Sequence, residues 1–330
     1  GVTPILPHQG NIFRNKVPAA IYVGNGFGKL AGITQVQELG NIETPIVLTN
    51  TLSVAAGIEG LVRYTLMQPG NEMERSVNAV VGETNDGWLN SIRQMYITPQ
   101  MVINAINSAH GGPVDQGNVG AGTGTICFGF KGGIGTSSRR LPDSLGGYTI
   151  GVLVQTNYGG ILEIDGVQVG RRLGKHDFIS HVRKNENVDG SCMMVVITDA
   201  PLDSRSLERV AKRAMMGMAK TGGIASNGSG DYVIAVSVNP ENLIDERTGR
   251  YYPTLLHNDD MSPLFEATIE ATAEALWNSL FMATDIETGD GEQIELNTKA
   301  DEWDIYPLNG NKHWTRDNYG PIWIPKKGAS

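Results

Sequence analysis

Ser191 stands where a charged segment gives way to an apolar one. His181 to Asp189 carries acidic and basic side chains with two asparagines, Gly190 interrupts it, and Ser191 to Thr198 (SCMMVVIT) follows. That run has the length and β-branched content of a buried strand. A glycine then a serine at a strand start is what a self-cleaving precursor needs, because Gly190 can take up strained dihedrals without a Cβ penalty. The Ser191 hydroxyl can attack the Gly190 carbonyl, and hydrolysis of the resulting ester frees Ser191 as a new amino terminus. Its α-amine, with an ordinary pKa of about 8, can then serve as base for the adjacent hydroxyl. The plainer reading is a loop-to-strand junction that contains a serine.

Catalysis by Ser191 requires an oxyanion donor and groups that hold the amine and relay a proton. Ser229 and Asp231, two residues apart at the mouth of the strand Tyr232–Val238, can face one site. There Asp231 can hold the Ser191 ammonium and Ser229 can pass a proton. Asn157, closing the apolar run Tyr148–Gln155, offers an amide donor. Against this, Asn227-Gly228-Ser229-Gly230-Asp231 is also ordinary turn chemistry, and Asn157 can simply bend the chain. The histidines make no competing case, since none sits in a metal-like pair with acidic or cysteine ligands. Ile21 to Lys29 runs from a strand into a glycine turn, but both phosphate-loop and dinucleotide spacings fail there.

These residues need strands and helices to position them. Ile46–Thr49 and Ala79–Val81 read as short strands, the latter ending in the polar turn Gly82 to Trp88 that contains Asn85 and Asp86. A helix is expected from Thr51 to about Met67, and another from the Thr98 cap and Pro99 to Gly111–Gly112. Gly117 to Gly135 is a glycine-rich pass around a strand Thr125–Phe130, of the kind that marks close backbone approach. Asp165–Gly166 predicts a type I′ hairpin between Ile161–Ile164 and Val167–Val169. Gly170 to Asp189 reads as an exposed loop. Asp203 or Ser204 caps a helix with Leu207, Val210, Ala214, Met215 and Met218 on its core face. A long helix spans about Pro263 to Met282, with Phe265, Ile269, Ala273, Leu276, Trp277 and Leu280 on one side. Strands this apolar imply sheets covered on both faces, which fits two stacked sheets between helical layers or a doubly wound sheet.

The 330 residues suffice for a sizeable core. A net charge of −9 without a basic block argues against nucleic acid as a partner. No apolar run approaches a membrane span, and no signal peptide opens the chain, so a cytoplasmic protein is expected; the first residue, Gly1, reads as the middle of a fold, so residues upstream are expected. Cys127 and Cys192 both lie in apolar runs and read as buried thiols.

Several long segments, in order, resemble the L-aminopeptidase/D-esterase family of self-processing N-terminal-nucleophile peptidases, which includes the β-aminopeptidases. They are Ile5 to Asn11 (ILPHQGN), Ile46 to Ser53 (IVLTNTLS), Val80 to Asn90 (VVGETNDGWLN), Gly117 to Ser138 (GNVGAGTGTICFGFKGGIGTSS), Leu153 to Asn157 (LVQTN), Gly190 to Leu202 (GSCMMVVITDAPL) and Asn227 to Asp231 (NGSGD). The resemblance implies a single domain with a four-layer αββα sandwich, cut between Gly190 and Ser191 into chains of residues 1–190 and 191–330. It implies Ser191 as nucleophile, Ser229 and Asp231 as its assisting pair (Asp where some relatives have Glu), Asn157 as oxyanion donor, and Asn85 and Asp86 lining the substrate pocket. It further implies hydrolysis of small peptides, amides or esters with a free amino terminus, no metal or organic cofactor, and a homotetramer of processed pairs. The segment 290–330, with Trp303, Tyr306, Trp314, Tyr319 and Trp323, has no counterpart in that family pattern and is expected to pack on the domain or a neighbouring subunit. Two rival readings are an acyltransferase on the same self-cleaving sandwich, in which threonine is the usual nucleophile, and a binding or structural protein that never cleaves.

Overall fold

The computed structural model describes residues 1–177 and 190–286. Twelve strands and six α-helices are found among them. The strands are β1 Thr3–Ile5, β2 Val17–Gly26, β3 Leu30–Ala31, β4 Asn41–Ile42, β5 Ile46–Asn50, β6 Val80–Thr84, β7 Ile126–Cys127, β8 Phe130–Lys131, β9 Ile134–Arg140, β10 Thr149–Asn157, β11 Ser191–Thr198 and β12 Gly230–Ser237. The helices are α1 Ile33–Leu39, α2 Val54–Leu66, α3 Pro99–Ser108, α4 Val169–Arg172, α5 Ser204–Lys220 and α6 Ser262–Phe281.

Two sheets carry the architecture: one of four strands in the order β1-β5-β6-β3, and one of six in the order β4-β2-β12-β11-β10-β9. Their side chains show why both are so apolar. Along β11, Met193 and Val195 point into a core shared with Ile46, Leu48 and Val80 of the smaller sheet. Cys192, Met194 and Val196 point the other way, into a core with Leu207, Val210 and Ala214 of α5 and Ala271 and Ala275 of α6. On the outer face of the smaller sheet, Val47 and Val81 pack with Leu61 of α2 and Val102 and Ile106 of α3. The period-2 alternation of a strand thus serves two cores at once. The result is a four-layer αββα sandwich, which settles the choice that apolarity alone left open.

Local signals mostly hold. Thr98 accepts from the Met101 amide at 3.3 Å with Pro99 opening α3, and Asp203 accepts from Ser206 at 2.8 Å to cap α5. Met218 is buried and Met215 packs against Gly24. Before α2, Thr51–Ser53 forms a 3-10 turn, with the Asn50 side chain accepting from the Ser53 amide.

Three expectations are corrected. The single strand Thr125–Phe130 is instead a tight hairpin of β7 and β8, because Phe128 and Gly129 turn at φ 53° and 75°, the left-handed pair of a two-residue I′ turn. The burial of Phe128, edge-on to Tyr158 at 5.0 Å, holds that turn in place. At Asp165–Gly166 the turn forms, with φ 47° and 79°, but the flanking residues make only the bridge Ile164–Val167. Ile161 and Glu163 are drawn instead to the carbonyls of Gly222 and Thr221. In α6 Ala273 and Leu276 are buried as expected, but the buried face is wider, adding Leu264, Ala267, Thr268, Ala271, Thr272, Ala275 and Ser279, mostly small residues that let the helix lie close on β9 and β10. Phe265, Trp277 and Leu280 flank that face only partly buried. Residues 178–189 of the expected exposed loop, and the segment 290–330, lie outside the described residues.

Candidate active site

Three strand ends of the six-stranded sheet meet at one place. β10 runs antiparallel to β11 and β12 parallel to it, so Ser191, the first residue of β11, sits between Asn157, the last of β10, and Gly230, the first of β12. Register alone therefore brings Asn157 beside Ser191, and places Ser229 and Asp231 on either side of the residue facing it. These four predicted residues are all buried.

The Ser191 hydroxyl donates to the Gly190 carbonyl at 2.6 Å, and the Gly230 amide donates to that same carbonyl at 3.2 Å. The hydroxyl thus lies against the Gly190–Ser191 peptide, with a main-chain N–H already on the carbonyl oxygen. Gly190 is needed there for space rather than for strained dihedrals. Its φ is not in the left-handed region, but a Cβ would come within 2.8 Å of Tyr158 Cα.

Asp231 accepts from the Ser229 hydroxyl through Oδ1 at 2.8 Å, while Oδ2 is buried with no hydrogen-bond partner among the described residues. Burial pushes this carboxyl up to about 6, and the Ser229 hydroxyl and Cys192 main-chain amide oppose the rise. Burial likewise raises the Cys192 thiol well above its usual range, reinforced by Asp231, so it makes a poor competing nucleophile.

The Asn157 amide is fixed at both ends. Its Oδ1 accepts from the Ile126 amide at 3.0 Å and its Nδ2 donates one proton to the Asn85 carbonyl at 2.9 Å. That assigns the nitrogen unambiguously and leaves a second N–H for a developing oxyanion. Asn85 touches this arrangement through its main chain only; its side chain turns back to the Gly87 amide. Asp86 is buried, and both its oxygens accept from Asn90 at 3.1 and 3.2 Å. It lines a cavity of about 140 Å³ with Asn50, Asn90, Tyr96, Thr123 and Gly124.

Three further residues support the site. Asn25, in the glycine turn dismissed as a phosphate loop, donates to the carbonyls of Ser226 and Ser229 and so holds the turn that presents Ser229 and Asp231. Glu83, buried in β6, accepts from the Lys29 amide at 3.0 Å and the Thr51 hydroxyl. Tyr96 reaches the cavity from a loop. Nothing in their local spacing signals these roles; only the polar turn beginning at Gly82 pointed near Glu83. Among the described residues no group of three or more His, Cys, Asp or Glu is placed to hold a metal ion, and no helix is long and apolar enough to cross a membrane.

A serine opening a central strand of an αββα sandwich, its hydroxyl on the preceding carbonyl and a buried acid at the neighbouring strand end, defines the class of N-terminal-nucleophile-like hydrolases. Within that class the chain belongs to Peptidase family S58, whose model it matches over residues 1–294. It is 38% identical over 304 residues to the beta-peptidyl aminopeptidase BapA of Sphingosinicella microcystinivorans, covering 88% of this chain and 75% of that one. The solved structure of a Burkholderia sp. beta-aminopeptidase superimposes with a TM-score of 0.78 at 36% identity, covering 87% of this chain and 80% of the other. The L-aminopeptidase D-Ala-esterase/amidase of Ochrobactrum anthropi, described as a prototype serine aminopeptidase and a variant of the Ntn hydrolase fold, gives 0.73 at 30% identity, covering 86% and 75%.

Proposed function

We propose that this aminopeptidase is made as a precursor that cuts itself between Gly190 and Ser191, then works through the freed Ser191. The observation that carries the reading is the Ser191 hydroxyl held 2.6 Å from the Gly190 oxygen, with the buried Asp231 carboxyl at the start of the neighbouring strand β12. In the first step Ser191 Oγ bonds to the Gly190 carbonyl carbon, the Gly190–Ser191 C–N bond breaks, and the hydroxyl proton passes to the departing nitrogen. Water cleaves the ester, leaving a Gly190 carboxylate and a free Ser191 amine. The new ammonium pairs with Asp231, which lowers the cost of the buried carboxylate.

In turnover the Ser191 amine takes the Oγ proton as Oγ attacks the substrate carbonyl. The second Asn157 N–H and the Gly230 amide stabilise the oxyanion, and the ammonium returns the proton to the leaving amine or alcohol. Water, activated by the same amine, releases the acyl group. Ser229, bridged to Asp231, relays a proton. The substrate is a small peptide, amide or ester with a free amino terminus, and its acyl side faces the cavity beside Asp86. The processed pairs assemble as a homotetramer, a state that light scattering in solution tests directly.

Intact mass under denaturing conditions tests the core of the reading. Wild-type protein should give two fragments meeting at Gly190/Ser191, and Ser191→Ala a single chain. Two fragments from Ser191→Ala would remove Ser191 from the cleavage, and an uncut wild type would favour a non-cleaving homologue. Partition of product between water and an added amine separates hydrolase from acyltransferase.

A further inference from the structure

The glycine-rich pass contains a half-buried cation that the mechanism above does not use. Lys131, in β8, donates from Nζ to three main-chain carbonyls: Gly122 at 2.9 Å, Thr125 at 2.9 Å and Gly132 at 2.7 Å. An ammonium has three N–H donors, and all three are spent on the turns of one loop. The same loop is cross-tied by the Gly132 amide to the Thr125 carbonyl and by the Thr125 hydroxyl to the Gly122 carbonyl.

The Thr125 carbonyl and the Ile126 N–H belong to one peptide group. At its oxygen end sits the Lys131 ammonium; at its nitrogen end sits Asn157 Oδ1, 3.0 Å away. A charge on the carbonyl fixes the peptide plane and polarises its N–H, strengthening the bond to Asn157. We propose that Lys131 is a positioning residue for catalysis: through the Thr125–Ile126 peptide it orients the Asn157 amide, and its protonated form is required for full turnover. The proposal rests on Asn157 serving as oxyanion donor.

The surroundings make that protonation sensitive to pH. Burial lowers the Lys131 ammonium to about 8, against the opposing pull of Asp86 and the Cys127 thiol. Lys175, the other cation nearby, lies over the adjacent Phe130 ring at 4.2 Å. A neutral amine would lose one of the three donors and turn a lone pair toward a carbonyl, releasing the peptide plane. Turnover should then rise with pH as the Ser191 amine becomes a base and fall again as Lys131 deprotonates, giving a bell.

The test is a double-mutant cycle on processed enzyme, with Ser191 confirmed free by mass and an aminoacyl p-nitroanilide as probe. Lys131→Met should lower kcat by about 10²-fold, the scale of a small misplacement at a reacting centre, with KM much less affected. Asn157→Ala should lower kcat on the same scale or more, and the double variant should be no slower than Asn157→Ala alone. Lys131→Arg keeps the charge, so it should recover part of the kcat lost in Lys131→Met while the alkaline limb disappears. Multiplying losses in the double variant would overturn the role of Lys131 and leave Asn157 in place. An unchanged kcat in Asn157→Ala would instead remove the donor itself. Should Lys131→Met fail to fold, Lys131→Arg decides: an alkaline limb identical to wild type would assign that limb to another group and sink the proposal.

Discussion

Asp231 is a residue whose electrostatics the proposed cleavage would change, because the freed Ser191 ammonium would pair with its carboxylate. In the uncleaved chain its carboxylate is buried with one oxygen unpaired, and its pKa stands at about 6 against an ordinary 3.8. The folded state therefore binds this proton more tightly than the unfolded state. Stability is greatest below the ordinary value and is lost as pH rises from about 4 through about 6. The difference between 3.8 and about 6 corresponds to roughly 3 kcal/mol of destabilisation at pH 8. In a Ser191→Ala background, which stays uncleaved, Asp231→Asn should raise the melting temperature at pH 8 and have little effect at pH 4. An equal change at both pH values would show that the carboxylate is not charged and unpaired in the precursor. In processed enzyme the same substitution removes the ammonium's partner, so activity should fall without a matching gain in stability.

At the scale of the element, the start of β11 is fixed by contacts on both sides. Asn157 and Gly230 flank Ser191 in register, and Gly190 passes so close to Tyr158 that a side chain has no room. Gly190→Ala puts a methyl group 2.8 Å from Tyr158 Cα, so β10 or the segment entering β11 must give way. Overpacking of this kind costs about 1–3 kcal/mol and moves the scissile carbonyl off the Gly230 amide. The expected outcome is a lower melting temperature together with cleavage slowed far more than the stability loss explains, read by the fraction of intact chain over time. Cleavage at the wild-type rate would mean that the close approach to Tyr158 does not position the peptide.

Over the whole molecule, the proposed cut falls between strands that remain neighbours. β11 and β12 belong to residues 191–330, yet they lie in mid-sheet, with β11 paired to β10 and β12 to β2 from residues 1–190. α5 and α6, also after the cut, cover a face built from both fragments. Separating the fragments would break two strand pairings, exposing the edges of β10, β11, β12 and β2 and a large part of both cores. The fragments should therefore co-elute under native conditions and part only at denaturant concentrations that unfold the protein, in one transition followed by fluorescence and by size. Dissociation before loss of secondary structure would show that the shared sheet is not what holds the pair.

What the sequence by itself determined is the set of parts. Ser191 after Gly190 at the head of an apolar run, Asn157 at the end of another, and Ser229 and Asp231 at the mouth of a third are all readable, because strand ends and turn residues carry local signatures. Caps such as Thr98 and Asp203 are legible for the same reason. The ordered segments also carried the family resemblance and, with it, the sandwich. What only the tertiary structure decided is adjacency. That β10 lies antiparallel and β12 parallel to β11 places these residues at one end of one sheet, and such pairings join positions 34 to 39 residues apart that no local pattern links. The hairpin at Phe128–Gly129 escaped the strand reading because its left-handed turn is held by burial against Tyr158 rather than by its own sequence. Asn25, Glu83 and Lys131 escaped for a related reason: each acts by giving or taking main-chain hydrogen bonds, and a main chain looks the same in every sequence until the fold brings it close.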